Sequence, residues 1–207
     1  MFEITEISPQ KKGSLLSVFI NGEYAFSADA SFIADNDVFV GRKLGAADLE
    51  NLKKAADVRK AVRHSLFLLE HRDFSKKELA KRLETKGYDP SDAMSAAEYI
   101  ESRGYINDGR YAERMIEKKK GRAGRKQLLF ELKRAGISEE DAENALSETY
   151  SEEDGISAVL REMKRILKGE IPEDRLAQKK LFNRFIAKGF DYETVRAAFE
   201  KYCENEE

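Results

Sequence analysis

The chain repeats itself. Aligning Gly87, Gly136 and Gly189 superimposes ETKGYDP, LKRAGIS and IAKGFDY. Four residues before each glycine stand Leu83, Leu132 and Phe185, and eight before stand Leu79, Leu128 and Leu181. Six residues after it come Ala93, Ala142 and Val195, nine after come Ala96, Ala145 and Ala198, and ten after come Ala97, Leu146 and Phe199. Apolar residues at such spacings mark one face of a helix on each side of the turn. A glycine just past a helix end supplies the left-handed residue of a C-terminal cap, and the residue after it packs back on the last turn. The glycines differ by 49 and then 53 positions. A period near fifty has room for a three-helix unit, so the chain reads as three such units in tandem.

The first unit shows the grammar in most detail. A helix-length segment ends in Lys86-Gly87-Tyr88, and Asp89-Pro90 starts the next, with Asp as N-cap and Pro at the first helical position. That segment ends in Arg103-Gly104-Tyr105, after which Asn107 or Asp108 opens another. Ser75-Lys-Lys-Glu78 has the spacing of a capping box.

Residues 1 to about 28 follow a different pattern. Phe2 and Ile4, then Leu16, Val18 and Ile20 beyond a polar loop at Pro9 to Gly13, alternate with other residues as in strands. Asn21-Gly22 signals a two-residue type I′ hairpin, with the return strand over Glu23 to Ser27. A helical turn is expected over Asp29 to Ala34, a short strand over Asp37 to Val40, and a helix near Ala46 to Ala56. From Val58 onward Ala61, Val62, Leu66 and Leu69 make a helical stripe. The expected division is therefore a β-rich segment with a linking helix over 1–56, and three-helix repeats over 57–106, 107–152 and 153–207.

Charged residues make up 37% of the 207 positions, which suits slender helical modules with much surface. The single cysteine, Cys203, excludes an internal disulfide and fits a reducing compartment. With no basic-then-apolar leader and no apolar run near twenty residues, a soluble cytoplasmic protein is expected. The net charge of −2 conceals segregation: nine Lys and Arg against four acids over 59–86, ten against three over 110–134, and nine against four over 161–188. Between Ala135 and Asp154 lie eight acids and no base. Such a distribution says more about partners than the total does.

Nothing in the sequence argues for an enzyme. His64 and His71 stand seven apart, on one face if their helix is continuous, with no third ligand nearby, so structural histidines are the better account. Cys203 has no histidine near it in sequence and reads as an unreactive thiol. The acids at Glu139, Glu140, Asp141 and Glu143 crowd a helix start, where the dipole favours them over a metal site. No phosphate-binding glycine motif occurs, and no cofactor or metal is expected.

The sharpest functional signal is basic. Lys118, Lys119, Lys120, Arg122, Arg125 and Lys126 surround two glycines at a helix-to-helix junction. Backbone N–H groups there can face an anion, with the side chains adding charge; a solvated loop is the plain alternative. Arg72, Lys76 and Lys77 in the first unit, and Lys179 and Lys180 in the third, are the equivalent charges that favour a binding surface. That surface suits either a phosphate backbone or an acidic protein groove. Tyr88, Tyr105 and Tyr111 can stack on bases, but Tyr88 and Tyr105 occupy C-cap contact positions and are expected in the core. A helix-turn-helix reader is disfavoured, because the helices after the turns carry Asp92, Glu98 and Glu101, then Glu139 to Glu143, then Glu193 and Glu200.

SKKELAKRLETKGYD followed by YIESRGYINDGRYAERMI resembles the central signature of the RecX family of bacterial recombination regulators. RKQLLFELKRAGIS and the hairpin VFINGEYAFS resemble it as well, so the likeness spans essentially the whole chain, with the third unit the loosest part. The resemblance implies a mainly α fold of three tandem three-helix repeats in an elongated curved array, preceded by a small β-hairpin-rich N-terminal segment. It also implies a non-enzymatic regulator, chiefly an inhibitor, that binds the RecA filament on single-stranded DNA and modulates its ATPase and strand exchange. The expected partners are that filament and single-stranded DNA, with double-stranded DNA weaker, for a monomeric chain without membrane contact. The alternative is a stand-alone nucleic-acid-binding helical repeat module that contacts phosphate backbone.

Overall fold

The structure, a computed structural model, describes residues 1–11, 13–172 and 174–206, with side chains as far as Glu204. It divides into two compact units, Met1–Ile106 and Asn107–Glu207.

In the first unit, β1 (Phe2–Pro9), β2 (Leu15–Ile20) and β3 (Glu23–Asp29) form an antiparallel meander. Asn21 and Gly22 take φ values of 52° and 85°, the pair a type I′ turn demands. The loop from β1 to β2 includes Lys12, which lies outside the described residues. After α1 (Ala30–Asp35), whose first turn is capped by the Asp29 carboxylate, β4 (Lys43–Leu44) pairs with β1. The sheet order is β3-β2-β1-β4. The fourth strand is thus not at Asp37 to Val40, where the sequence suggested it. Asp37 turns left-handed at φ 51°, and the Val38 amide donates to the Ile33 carbonyl. The Arg42 guanidinium donates to the carbonyls of Asn36 and Asp37. This folds the segment into a turn that sinks Val38 into the core and leaves Phe39 and Val40 outside.

The helix expected near Ala46 to Ala56 and the stripe beginning at Val58 are one element, α2 (Ala46–Leu69). Its first half packs Leu49, Leu52 and Ala56 with Ile4, Val18, Phe26, Phe32 and Leu44 against the sheet. Its second half packs Ala61, Val62 and Leu66 against α3 (Lys76–Glu84) and α4 (Pro90–Ser102). At a rise of about 1.5 Å per residue a helix this long spans two cores without a break.

The second unit holds two more three-helix cores. The first comprises α5 (Asp108–Lys119), α6 (Arg125–Ala135) and α7 (Glu139–Thr149). The second comprises α8 (Glu152–Leu167), α9 (Arg175–Ile186) and α10 (Tyr192–Glu206). The aligned positions of the sequence repeat fill these cores: Leu79, Leu83, Leu128, Leu132 and Phe185 are fully buried, as are Ala93, Ala142 and Val195.

The glycine turns work as their spacing predicts. Gly87, Gly104, Gly136 and Gly189 have φ between 74° and 94°. In each, the amide one residue beyond the glycine reaches the carbonyl four residues before it: Tyr88 to Leu83, Tyr105 to Ile100, Ile137 to Leu132 and Phe190 to Phe185, at 3.1–3.3 Å. These bonds satisfy carbonyls the helix end would otherwise leave unpaired.

Candidate nucleic-acid interface

The basic junction between α5 and α6 is built against the third repeat. The Gly124 amide donates to the Lys188 carbonyl at 2.9 Å, and the Lys126 amide donates to the Gly189 carbonyl at 3.1 Å. The Arg161 guanidinium donates to the Gly121 carbonyl at 2.8 Å. A Cβ on Gly124 would lie 2.2 Å from the carbonyl carbon of Gly189 and from the nitrogen of Phe190. Gly124 is therefore required by two backbones in contact. The structure constrains the expectation that this glycine-rich backbone turns its N–H groups to an anion: the Gly124 and Lys126 amides donate to the third repeat, and those of Arg122 and Ala123 donate to the Lys119 carbonyl.

The eleven candidate cations fall into two sets. Five are engaged within the fold. Lys119 pairs with Glu131, and Arg125 pairs with Glu143. Lys120 reaches Glu117 at 2.9 Å and Asp154 at 3.5 Å, so it ties the second repeat to the start of α8. Lys76 pairs with Glu101 at 2.9 Å. Arg72 pairs with Glu78 at 3.1 Å and sits 3.6 Å over the ring of Phe74. The other six, Lys77, Lys118, Arg122, Lys126, Lys179 and Lys180, are exposed and make no ion pair with a described residue.

Within this second set a register emerges. Lys77, Lys126 and Lys179 each stand ten residues before the turn glycine of their repeat, on α3, α6 and α9 respectively. Lys77 and Lys126 occupy first helical turns, where the dipole makes positive charge unfavourable. Helix stability does not account for lysine there. Phe130, 59% exposed, lies four residues after Lys126 and four before Arg134 on α6, so the three share a helix face. The sequence reading passed over Phe130; its signal was an aromatic at a position the other repeats fill with Lys81 and Asn183.

The acids around the junction are held ionised. Burial works to raise the Glu131 carboxyl, but hydrogen bonds from Lys119 and Gln127 outweigh it and keep it below its ordinary value. The Ser151 amide and hydroxyl, with Lys120 adding charge, lower Asp154. Glu162 is lowered chiefly by its hydrogen bond from Lys188, at 2.6 Å, with Arg165 and Arg184 contributing. Burial, with the negative charges of Asp191 and Asp154, pushes the Tyr150 hydroxyl up to about 12.

Of the tyrosines, Tyr88 and Tyr111 pack against the cores of the first and second repeats. Tyr105 does not: it is 61% exposed, because the next residue, Ile106, takes the buried place. His64 meets the Tyr88 ring at 5.7 Å, and its burial, with Lys86 and Arg82 nearby, lowers its pKa. His71 lies past the end of α2 with a ring nitrogen 2.8 Å from the Phe67 carbonyl, so the two histidines do not share a continuous helix. Among the described residues no group of three or more His, Cys, Asp or Glu is placed to hold a metal ion. No described helix is long and apolar enough to cross a membrane.

Comparison with known proteins gives a consistent result. Residues 107–146, which span α5, α6 and most of α7, match the family described as "RecX, second three-helix domain". The chain is similar to the protein named Regulatory protein RecX of Clostridium beijerinckii, at 26% identity over 97% of this chain and 96% of that one. It is also similar to the Bacillus subtilis protein of the same name, at 28% identity over 99% of this chain and 79% of that one. Among solved structures, one described as regulatory protein RecX aligns with a TM-score of 0.72 at 18% identity, covering 95% of this chain and 98% of that one. That of RecX from Lactobacillus salivarius aligns with a TM-score of 0.63 at 20% identity, covering 72% of this chain and 97% of that one. These likenesses bear out the mainly α architecture with a strand-rich N-terminal segment.

Proposed function

Starting from the premise that this chain belongs to the RecX family, we propose that it regulates the RecA recombinase by binding the RecA filament on single-stranded DNA. The bound chain inhibits filament ATPase and strand exchange, acts without catalysis of its own, and works as a cytoplasmic monomer. The repeats over 57–106, 107–152 and 153–207 are the units of contact.

The observation that carries the binding half of this reading is the recurrent free lysine. Lys77, Lys126 and Lys179 recur at one register while neighbouring cations are neutralised by internal acids. Lys118, Arg122 and Lys180 add exposed charge beside them. A compact ammonium on a flexible stem suits a phosphate backbone, which demands no fixed geometry.

The test is DNA-dependent ATP hydrolysis by RecA with increasing amounts of the native chain and of a Lys118→Gln/Arg122→Gln/Lys126→Gln chain. Inhibition by the native chain and a clear loss of it in the variant is the expected result. Tight binding to bare DNA with no effect on the recombinase would replace this reading with the stand-alone nucleic-acid module.

A further inference from the structure

The first unit carries a groove set apart from the exposed lysines. It measures about 750 Å³ and lies between the N-terminal segment and the first repeat. Its floor is formed by the half-buried Val58, Val62 and Leu66 of α2, with Phe32 from α1. Its rim holds Arg59, Arg63 and Arg103 with Tyr99 and Tyr105, against one lining acid among the described residues, Asp29.

We propose that this groove is a docking site for an acidic protein segment bearing an apolar anchor, and that its occupant is the recombinase itself. This rests on the filament-regulator reading above. Three features support it. The rim arginines are already oriented: Arg59 donates to Asp29 and Ser31, Arg63 to Ser14, and the Arg103 guanidinium lies 5.1 Å from the centre of the Tyr99 ring. Planar donors fixed in this way match carboxylates, and among the described residues only Asp29 lines the groove to answer three of them.

Second, the rim aromatics stand in solvent: Tyr105 is 61% exposed and Tyr99 is 43% exposed, whereas Tyr88, which also follows a turn glycine, packs against the core of the first repeat. Tyrosine and arginine around an apolar floor is the composition of energetically dominant interface centres.

Third, the groove is poorly made for nucleic acid. The aromatic ring in the floor, Phe32, is buried, one face of Tyr99 is covered by its own Arg103, and among the described residues no lysine lines the site. The free lysines lie elsewhere, on α3, α5, α6 and α9.

The test uses the full chain with Arg63→Gln, Arg103→Gln and Tyr105→Ser combined, and a Tyr105→Ser chain alone. All three positions are exposed, and circular dichroism checks that each variant is folded. Binding is measured to a bare single-stranded oligonucleotide and to RecA filaments on the same oligonucleotide. The proposal expects the combined variant to bind filaments at least tenfold more weakly and Tyr105→Ser several-fold more weakly, both keeping native affinity for the bare strand. Equal losses on both targets would make the groove a nucleic-acid site and overturn the proposal. Native filament binding by the combined variant would also overturn it. A native chain that binds bare strand and never filaments would overturn the filament reading, and the proposal with it.

Discussion

The second helices of the first and second repeats, α3 and α6, start at the same register and complete their first turns by different means. Twelve residues before the turn glycine stands Ser75 in one and Gly124 in the other. The fully buried Ser75 accepts from the Glu78 amide at 3.1 Å, an ordinary side-chain cap. Gly124 makes no side-chain cap, and instead lets the Gly189–Phe190 backbone approach to a distance no side chain permits. The start of α3 is optimised for its own helix. The start of α6 gives up that local bond for a joint with the next repeat.

The largest effect should come from importing the first solution into the second. Gly124→Ser restores a capping hydroxyl but places a Cβ on the Gly189–Phe190 backbone, and should destabilise the chain by about 2–3 kcal/mol. The fall appears as a lower urea midpoint; an unchanged midpoint would break the comparison. Gly189→Ala and Gly87→Ala sharpen it from the other side. Both glycines are left-handed, but a Cβ on Gly189 meets the Gln127 nitrogen at 2.3 Å while one on Gly87 meets nothing within 4 Å. Gly87→Ala should therefore cost about 1 kcal/mol, the strain of φ alone, and Gly189→Ala distinctly more. Ser75→Ala should cost about 1 kcal/mol and Ser75→Gly only a few tenths.

The smallest effect concerns pH. Glu162 accepts from Lys188 and neighbours Arg165 and Arg184, which hold its folded pKa below the unfolded value. A depressed carboxyl contributes stability above its unfolded pKa, and that contribution is lost as pH falls through the folded one. Glu162→Gln should cost about 0.5 kcal/mol at neutral pH and nothing in strong acid, measured by urea unfolding at both.

The repeat and its caps were legible because each is a local sequence pattern. Leu79, Leu83 and Gly87 announce a helix face and its end within nine positions. The placement of β4 was not legible: Val38 and Val40 look like a strand, but the left-handed Asp37 and the Arg42 side chain bend them into a turn. The role of Gly124 was hidden for another reason. Its partner, Gly189, lies 65 residues away, and nothing in the local sequence distinguishes a glycine of close approach from one of a phosphate loop. The division of the cations was equally invisible, since pairing of Lys119 with Glu131 and of Arg125 with Glu143 depends on how α5, α6 and α7 pack.

The recurrent free lysine is the claim on which the binding account turns, and the salt dependence of binding tests it most directly. The native chain and a Lys77→Ala/Lys126→Ala/Lys179→Ala chain would be titrated onto a single-stranded oligonucleotide across a range of salt. Each lysine that neutralises a phosphate adds roughly 0.7 to the log–log slope, so the variant should lose about 2 in slope. A variant with the native slope would show that these lysines meet no phosphate, and would contradict the account.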